Sequence, residues 1–430
     1  MVPTHLFLLT LLLLLPPCSP LAPPLDVAII GGGPCGLATA IALHKASPST
    51  SVRIYERDPY PFAPKGATVA ISRAGWRALR CIDRPVHDEL RAACAAVESL
   101  RILPIRAGSP ATAAPGFARR ALFLAGLLNK LLRRLRLRPL PIIKVNLWHS
   151  VRCTLAARAV ALLGPAALQA GALASVSPSP AGGFSLTFSG APPVSARVVL
   201  ACDGASSATR LLCPLEPQAG ELLADEGKSV WRGLAPGVAA GGAAFFLRDA
   251  EEELLAVTFP AGDGGSSWTV AAKALEGKSK GPADALERLL GVLPPRDPSY
   301  EPLERLYRCV EATPAGAIEN RLKIRRFGEG APPFGAATSG LAFLGDAAHP
   351  VRPTGEGIAL ALEDAWALGD VVKRAGGVGP DQLRAYEVGR LPRVRQVSGR
   401  VKKVADAYYK GGGGGDEPVE KVERMRMKPL

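Results

Sequence analysis

Apolar positions fall into two textures along this chain. LDVAII (Leu25–Ile30) is a short uninterrupted apolar run, the pattern of a parallel strand buried on both faces. LATAIALHKA, just downstream, has the composition and period of a helix, and SVRIYERD reads as a second strand. ARVVLACDG and LAFLGD each give an apolar strand that ends on an aspartate, Asp203 and Asp346. Between those two aspartates the pattern changes. Trp231-Arg232-Gly233, AAFFLRD, LLAVTFP and SSWTVAAKAL read as strands separated by Gly and Asp turns, with a helix over Ala283–Leu293 among them. The strand-forming VESLRILPI (Val97–Ile105) is expected to join the same sheet. DQLRAYEVGRLPRVRQVSGRVKKVADAYY predicts a closing helical region broken or kinked at Pro392. Gly411–Gly415 then opens a link to a charged tail, expected to be disordered. There is no internal repeat.

The turn between the first strand and helix is GGGPCG, a GxGxxG pattern on Gly31, Gly33 and Gly36. Gly31 permits the tight turn, Gly33 lets backbone approach a pyrophosphate, and Gly36 lets the helix pack closely on the strand. Pro34 suits the first helical turn, where its missing N–H is not needed. The free amides and dipole of that turn would hold the pyrophosphate. Glu56 lies twenty residues after Gly36, where a carboxylate can accept from both hydroxyls of an adenosine ribose. Arg57 beside it joins the candidate contacts. The fingerprint predicts dinucleotide binding without choosing between a flavin and a nicotinamide.

At 430 residues the chain exceeds a single core, so two domains are expected. With 48% hydrophobic and 21% charged residues it is globular rather than disordered. The net charge of +14 calls for an anionic cofactor, a membrane surface or nucleic acid. Nucleic acid is disfavoured, because neither zinc-finger spacing nor an aromatic RNA-binding motif accompanies the cations. The eight cysteines lack CxxC or Cys/His ligand spacing, so they imply no disulfide framework and no metal site. They read mostly as small buried side chains.

Two segments stand apart. The apolar run Leu6–Leu15 is half the roughly twenty residues a bilayer span needs, so 1–24 reads as a signal or targeting segment. The expected route is the secretory pathway or ER, or a plastid reached through the ER. In LFLAGLLNKLLRRLRLR (Leu122–Arg138), Leu124, Leu128, Leu131 and Leu135 share one helical face, and Lys130, Arg133, Arg134 and Arg138 form a basic sector. That helix either makes a peripheral membrane contact or packs its apolar side on the strand-rich part of the chain between Asp203 and Asp346.

Three motifs now define a class. They are the GxGxxG turn, the DGxxSxxR pattern of Asp203, Gly204, Ser207 and Arg210, and LGDAAHPVRPTGEGIALALEDAW after the last apolar strand. In this order and spacing the chain resembles the class A flavoprotein monooxygenases, the family of p-hydroxybenzoate hydroxylase and the zeaxanthin epoxidases, over roughly Leu25 to Val404. The resemblance implies an α/β fold, with a discontinuous Rossmann-like FAD-binding domain and a mostly antiparallel β-sheet substrate domain. The implied boundaries are 25–95, 145–214 and 336–378 for FAD, with 96–144 and 215–335 for substrate. A C-terminal helical region would cover 379–410 and the tail 411–430.

By the same resemblance, Asp346, after Gly345, would hydrogen-bond the ribityl chain, and Asp203 would sit near the pyrophosphate and help NAD(P)H engage. Arg152 would reach the FAD from a helix start. Pro353, Gly355, Gly357 and Ile358 would bring helix amides to the flavin N1 and O2, where reduction puts negative charge. The family's usual Gln is replaced by Glu356 and its usual Asn by Ala359, and its Pro-Asn by Arg73-Ala74. A carboxylate at Glu356 would disfavour the reduced anion, and Ala359 would remove a polar contact. Glu363 and Asp364 match the family's acidic pair and are expected to be solvated or locally paired. His349 is expected to be structural rather than a base.

No catalytic triad or carboxylate pair is present, as befits an enzyme whose cofactor carries the chemistry. The implied reaction uses NAD(P)H and O2 to put one oxygen atom into an aromatic or isoprenoid-type small molecule, by hydroxylation or epoxidation. The alternatives are a flavin reductase or halogenase, the latter without its WxWxIP motif here, and a non-catalytic FAD-binding scaffold.

Overall fold

The structure, a computed structural model, describes residues 24–64, 66–108, 143–213, 223–249, 251–262, 264–313, 316–325 and 339–409. It also describes helical positions between 124 and 135, and Leu140. The leader-like residues 1–23 and the tail 411–430 lie outside these.

Sixteen strands among the described residues form three sheets. The first is built on β1 (Leu25–Ile30), β2 (Val52–Glu56), β7 (Leu168–Ala170), β8 (Ala172–Pro178), β9 (Phe184–Ser189), β10 (Val194–Ala201) and β16 (Leu341–Phe343). Its order is β7-β2-β1-β10-β9-β8, and β16 pairs in parallel with the end of β10. The β7-β2-β1-β10 half is parallel, whereas β8-β9-β10 is an antiparallel extension. Val27, Ala28, Ile29, Val199 and Leu200 are all buried, which is why these strands read as continuous apolar runs. The sheet thus draws its strands from three separated parts of the chain.

Helices α1 (Pro34–Ala46), α2 (Arg73–Ile82), α3 (Arg84–Ala92) and α4 (Trp148–Leu163) belong to this unit, as does the short α5 (Ala208–Leu212). Helix α1 is buried from Pro34 to Leu43, and its Ala-rich sequence suits a helix packed on all sides. One buried carboxylate, Asp83, ends α2, accepts from Val86 N to start α3, and pairs with Lys45 of α1 and Arg158 of α4.

The second sheet has the order β15-β11-β14-β13-β12-β5. Its strands are β5 (Ser99–Pro104), β11 (Leu223–Ala235), β12 (Ala243–Asp249), β13 (Leu254–Pro260), β14 (Ser266–Lys273) and β15 (Ile318–Arg325). Every pairing is antiparallel except β12 with β5. Alternate residues such as Trp231, Trp268 and Leu247 pack against Leu289 of α6 (Pro282–Val292) and Leu306 of α7 (Glu301–Glu311). The opposite parity, including Arg232 and Ser267, faces the elements around the first sheet, where Arg232 acts on Asp346 and Ser267 meets Thr68. Ser267 Oγ there accepts from Thr68 N at 2.9 Å.

The third sheet is β3 (Thr68–Ala70), β6 (Ile143–Leu147) and β4 (Ala95–Val97). This corrects one expectation: the apolar run Val97–Ile105 is two strands in two sheets, with Val97 in β4 and Ser99–Pro104 in β5. A run of apolar residues does not mark where a chain changes sheet.

Helix α8 (Gly357–Ala375) follows β16 and packs against α1, where a methyl added at Gly369 would lie 2.9 Å from Ala42 Cβ. Helix α9 (Pro380–Tyr409) closes the structure and continues through Pro392, so of the expected break or kink the break does not occur. Seven described cysteines are free, and Cys35, Cys202, Cys213 and Cys309 are buried.

Candidate active site

The parallel strands β1, β2, β10 and β16 end on one side of the first sheet, where an open α/β sheet binds its ligand. The turn after β1 shows why its glycines are needed. Gly31 has φ of +105°, and a Cβ there would lie 2.5 Å from Cys202 O. A Cβ on Gly36 would lie 2.0 Å from Gly31 O. A Cβ on Gly33, by contrast, would meet no protein atom within 4 Å. Gly31 and Gly36 therefore close the turn onto the protein, and Gly33 leaves an open cradle. Helix α1 starts there with Pro34 in its first turn, no side-chain cap and no acidic residue in that turn. Its first amides are available to an anion.

Arg152 locks the cradle to the end of β2. It is the fifth residue of α4 and almost fully buried, not a surface arginine. Its Nε donates to Gly32 O at 2.9 Å, and its other nitrogens lie 3.2 Å from Glu56 Oε2 and 3.3 Å from Asp58 Oδ2. The guanidinium also stacks 3.5 Å over the Phe62 ring. Glu56 Oε2 accepts from Gly32 N at 2.7 Å, and Oε1 accepts from Asp58 N at 2.9 Å. Since each carboxylate oxygen has two acceptor positions, Oε1 can take a further hydroxyl. Arg57 is exposed next to it.

At the end of β10, Asp203 Oδ2 accepts from Thr209 N and Oγ1 at 2.9 and 3.0 Å. Its Oδ1 is buried and accepts no hydrogen bond from the protein. That orphaned acceptor adjoins the Gly31 turn, where it suits a hydroxyl or water of a bound dinucleotide. Ser207 Oγ caps α5 by accepting from Arg210 N. Arg210 stacks over Phe343 and donates to Ala347 O at 2.9 Å, tying the end of β10 to the end of β16. The DGxxSxxR pattern is thus a staple between two strand ends.

Gly345, with φ of +59°, sits against α1, where an added Cβ would lie 3.0 Å from Cys35 Sγ. Asp346 follows it at the start of a single 3-10 turn. It is solvent-exposed, yet enough protein surrounds its carboxyl to disfavour the charged form. That crowding raises its pKa, opposed by His349 and by Arg232, which reaches across from β11. Asp346 Oδ1 would lie 3.5 Å from a Cβ placed on Gly357, so the carboxylate stands at the N-terminus of α8. Pro353 is exposed on the approach turn, Gly355 has φ of +91°, and Ile358 is half-buried in the first turn of α8.

Both departures at this helix start acquire a physical explanation. Glu356 makes no cap bond of its own and instead pairs with Arg400 of α9, so its charge is matched. Ala359 is fully buried, and an added Cβ on Gly75 of α2 would lie 2.9 Å from both its Cα and its Cβ. A larger residue at 359 would push α8 off α2, so the position is set by packing.

Beneath the site lies a buried charge network. His349 Nε2 lies 2.6 Å from Asp364 Oδ2, which also accepts from Gly345 N at 2.8 Å. Arg390 Nε donates to Asp364 Oδ1 at 2.8 Å, and Arg390 and Arg393 both reach Glu363. Burial works against the Asp364 charge, but His349 and Arg390 hold its pKa down to about 2. The acidic pair is buried and paired rather than solvated, and His349 is buried with it.

The structure therefore gathers Gly31, Gly33, Pro34, Gly36, Glu56, Arg152, Asp203, Gly345, Asp346, Gly355 and Gly357 about the ends of the parallel strands and the starts of α1 and α8. Sequence reading missed Arg232, Arg390 and Arg400. The alternation of β11 was the one local signal, since buried Trp231 fixes Arg232 on the opposite face. The open cradle at Gly33, the uncapped α1 and α8, and the free acceptor of Asp203 have the chemistry to hold a dinucleotide such as FAD.

No family model matches the chain. It is 40% identical over 76 residues to 3-amino-4-hydroxybenzoate 2-monooxygenase PtnB3 of Streptomyces platensis, covering 17% of this chain and 19% of the relative. It is 35% identical over 91 residues to a 3-amino-4-hydroxybenzoate 2-monooxygenase of Streptomyces cremeus, covering 21% and 23%. The matched region thus spans about a fifth of these curated relatives. Among solved structures, CtdE in complex with FAD and substrate aligns with a TM-score of 0.69 at 16% identity, over 91% of this chain and 92% of that one. Klebsiella pneumoniae HpxO complexed with FAD and uric acid aligns with a TM-score of 0.61 at 20% identity, over 92% and 91%. The chain shares the overall fold of these FAD-complexed proteins.

Proposed function

We propose that this protein is an FAD-dependent monooxygenase that uses NAD(P)H and O2 to place one oxygen atom in an aromatic or isoprenoid-type small molecule. The observation that carries this reading is the meeting of two uncapped helix N-termini, α1 and α8, with the acidic ends of two parallel strands, Asp203 and Asp346. FAD, when bound, supplies the electron transfer and the activation of oxygen. The chain supplies the rest. Glu56 would accept from the adenosine ribose, the α1 amides would hold the pyrophosphate, and Asp346 would accept from the ribityl chain. The amides at Gly357 and Ile358 would stabilise charge at the pyrimidine edge of the ring.

An apolar cluster adjoins the turn before α8. Phe246 and Phe259 meet edge-to-face at 5.7 Å and pack in one cluster with Ala70, which in turn lies against Gly355. Such a cluster would exclude water from the reacting centre and suits an apolar or aromatic substrate. The aminohydroxybenzoate relatives favour the aromatic class.

The test is the purified protein, loaded with FAD and given NADPH or NADH in air with a panel of phenols and carotenoids. Yellow protein with substrate-stimulated NAD(P)H oxidation and an oxygenated product supports the proposal, and the responding substrate decides between hydroxylation and epoxidation. Yellow protein that no donor reduces would instead favour a non-catalytic flavin scaffold. Folded protein that takes up no FAD overturns the reading. For residues 1–24 we propose entry into the ER, and a fluorescent reporter carrying them that stays cytosolic would reject it.

A further inference from the structure

The segment between β5 and β6 presents its apolar side outward. Described positions between 124 and 134 are helical, and Leu135 N donates to Leu131 O at 3.0 Å. Leu124, Leu127, Leu128, Leu131 and Leu135 are 45–62% exposed. On helical geometry these five fall within a stripe of roughly 100°. Asn129 lies roughly 150° round from the stripe's centre. Among the described positions of this helix it is the buried one: its Nδ2 donates to Glu98 O and Leu140 O at 2.8 Å, and its Oδ1 accepts from Leu140 N. An ordinary surface helix of a globular protein has the reverse arrangement, with apolar residues inward and polar residues outward. This helix is therefore held to the body by a polar anchor while a leucine stripe looks away from it.

The surrounding charge indicates what covers the stripe. From Ser99 to Cys202 the sequence contains no aspartate or glutamate. Lys130, Arg133, Arg134, Arg136 and Arg138 follow or interleave the leucines. A second copy of the chain docking stripe to stripe would bring these cations together. A bilayer surface bearing anionic lipid accepts both features, since leucines enter the acyl boundary and cations meet the headgroups. We propose that this leucine stripe is a membrane-surface contact that seats the protein on bilayers containing anionic phospholipid.

The test is co-sedimentation of the full-length protein with large vesicles of phosphatidylcholine alone or with added phosphatidylglycerol. The expected result is binding to the anionic vesicles, weakened by salt. The L124S/L128S/L131S variant should bind on the order of tenfold or more weakly, from the lost apolar insertion. Its far-UV circular dichroism and melting temperature should be unchanged, because these side chains are exposed. R133Q/R134Q should remove the preference for anionic lipid. Wild-type protein that stays in the supernatant with both vesicles overturns the proposal, as does sedimentation that the leucine variant leaves intact. A concentration-dependent dimer that the leucine variant abolishes, without vesicle binding, would assign the stripe to self-association instead. None of these readouts depends on flavin or turnover.

Discussion

Gly33 and Gly36 are three residues apart and do opposite work. Gly36 has protein where a side chain would go, at 2.0 Å from Gly31 O, whereas Gly33 has open space. G36A should therefore cost at least ~2 kcal/mol of stability, because backbone and not a flexible side chain has to give way. G33A should melt within a degree or two of wild type, since its φ of −78° suits alanine. Under the proposed function it should still lose FAD affinity, because the methyl enters the pyrophosphate cradle. Melting curves with and without added FAD separate the two: a G33A protein as unstable as G36A would mean that the cradle is occupied by protein. The pair Glu356–Arg400 makes a second residue-scale test. Removing the cation in R400Q leaves a carboxylate unmatched at the helix start, which should lower the midpoint potential of bound flavin. The expected fall is on the order of 30 mV, or ~1.4 kcal/mol for a two-electron couple. The double variant E356Q/R400Q should restore it, and a potential that none of these variants moves would place the pair outside the field of the ring. Neither partner announced the pairing in the sequence, since 44 residues separate them and an ion pair between helices leaves no local periodicity.

Helix α9 matters at the scale of elements because it supplies cations to the buried underside of α8. Arg390 and Arg393 reach Glu363 and Asp364, and Asp364 in turn holds His349 and the amide of Gly345. D364N keeps the shape but removes the charge that Arg390 and His349 face, so ~3–5 kcal/mol of stability should be lost in urea denaturation. The pH dependence has a definite sign. Asp364 has a folded pKa of about 2 against an ordinary 3.8, so its contribution is present above pH ~4 and fades as pH falls toward 2. Wild type should destabilise across that window with a steeper slope than D364N, and equal slopes would show that Asp364 is not the group responsible. The elements themselves were largely legible. Leu25–Ile30, Ala243–Asp249 and Leu254–Pro260 are strands with the bounds their apolar patterns suggested, and Pro282–Val292 is a helix shifted by one residue from expectation. Where the reading failed, a non-local influence decided: the run Val97–Ile105 divides between two sheets because Val97 pairs with Ile143 whereas Ser99 pairs with Ala243.

At the scale of the whole molecule, the six-stranded sheet has to stay seated over the site for chemistry there to be sheltered from water. Several hydrogen bonds among the described residues hold it, these among them. Ser267 Oγ takes the amide of Thr68, Arg325 donates to Ala348 O at 2.9 Å, and Arg352 donates to Glu226 Oε2 at 2.7 Å. The last two fasten the turn that precedes α8, the same turn that carries Pro353 and Gly355. The resemblance in the sequence implied a dinucleotide unit and a sheet unit, but not these fastenings, because each joins residues far apart whose types are ordinary at a surface. Glu226 belongs to no element of the cofactor cradle, so E226Q should bind FAD as wild type does. It should nevertheless loosen the turn and admit water, and under the proposed function more NAD(P)H would then be oxidised without product. The expected change is a severalfold rise in hydrogen peroxide released per NAD(P)H consumed in the presence of substrate. The conservative E226D should fall between the two. If E226Q released no more peroxide than wild type while product formation held steady, the seal over the site would rest on the Phe246–Phe259 cluster, and F259A would become the variant that leaks.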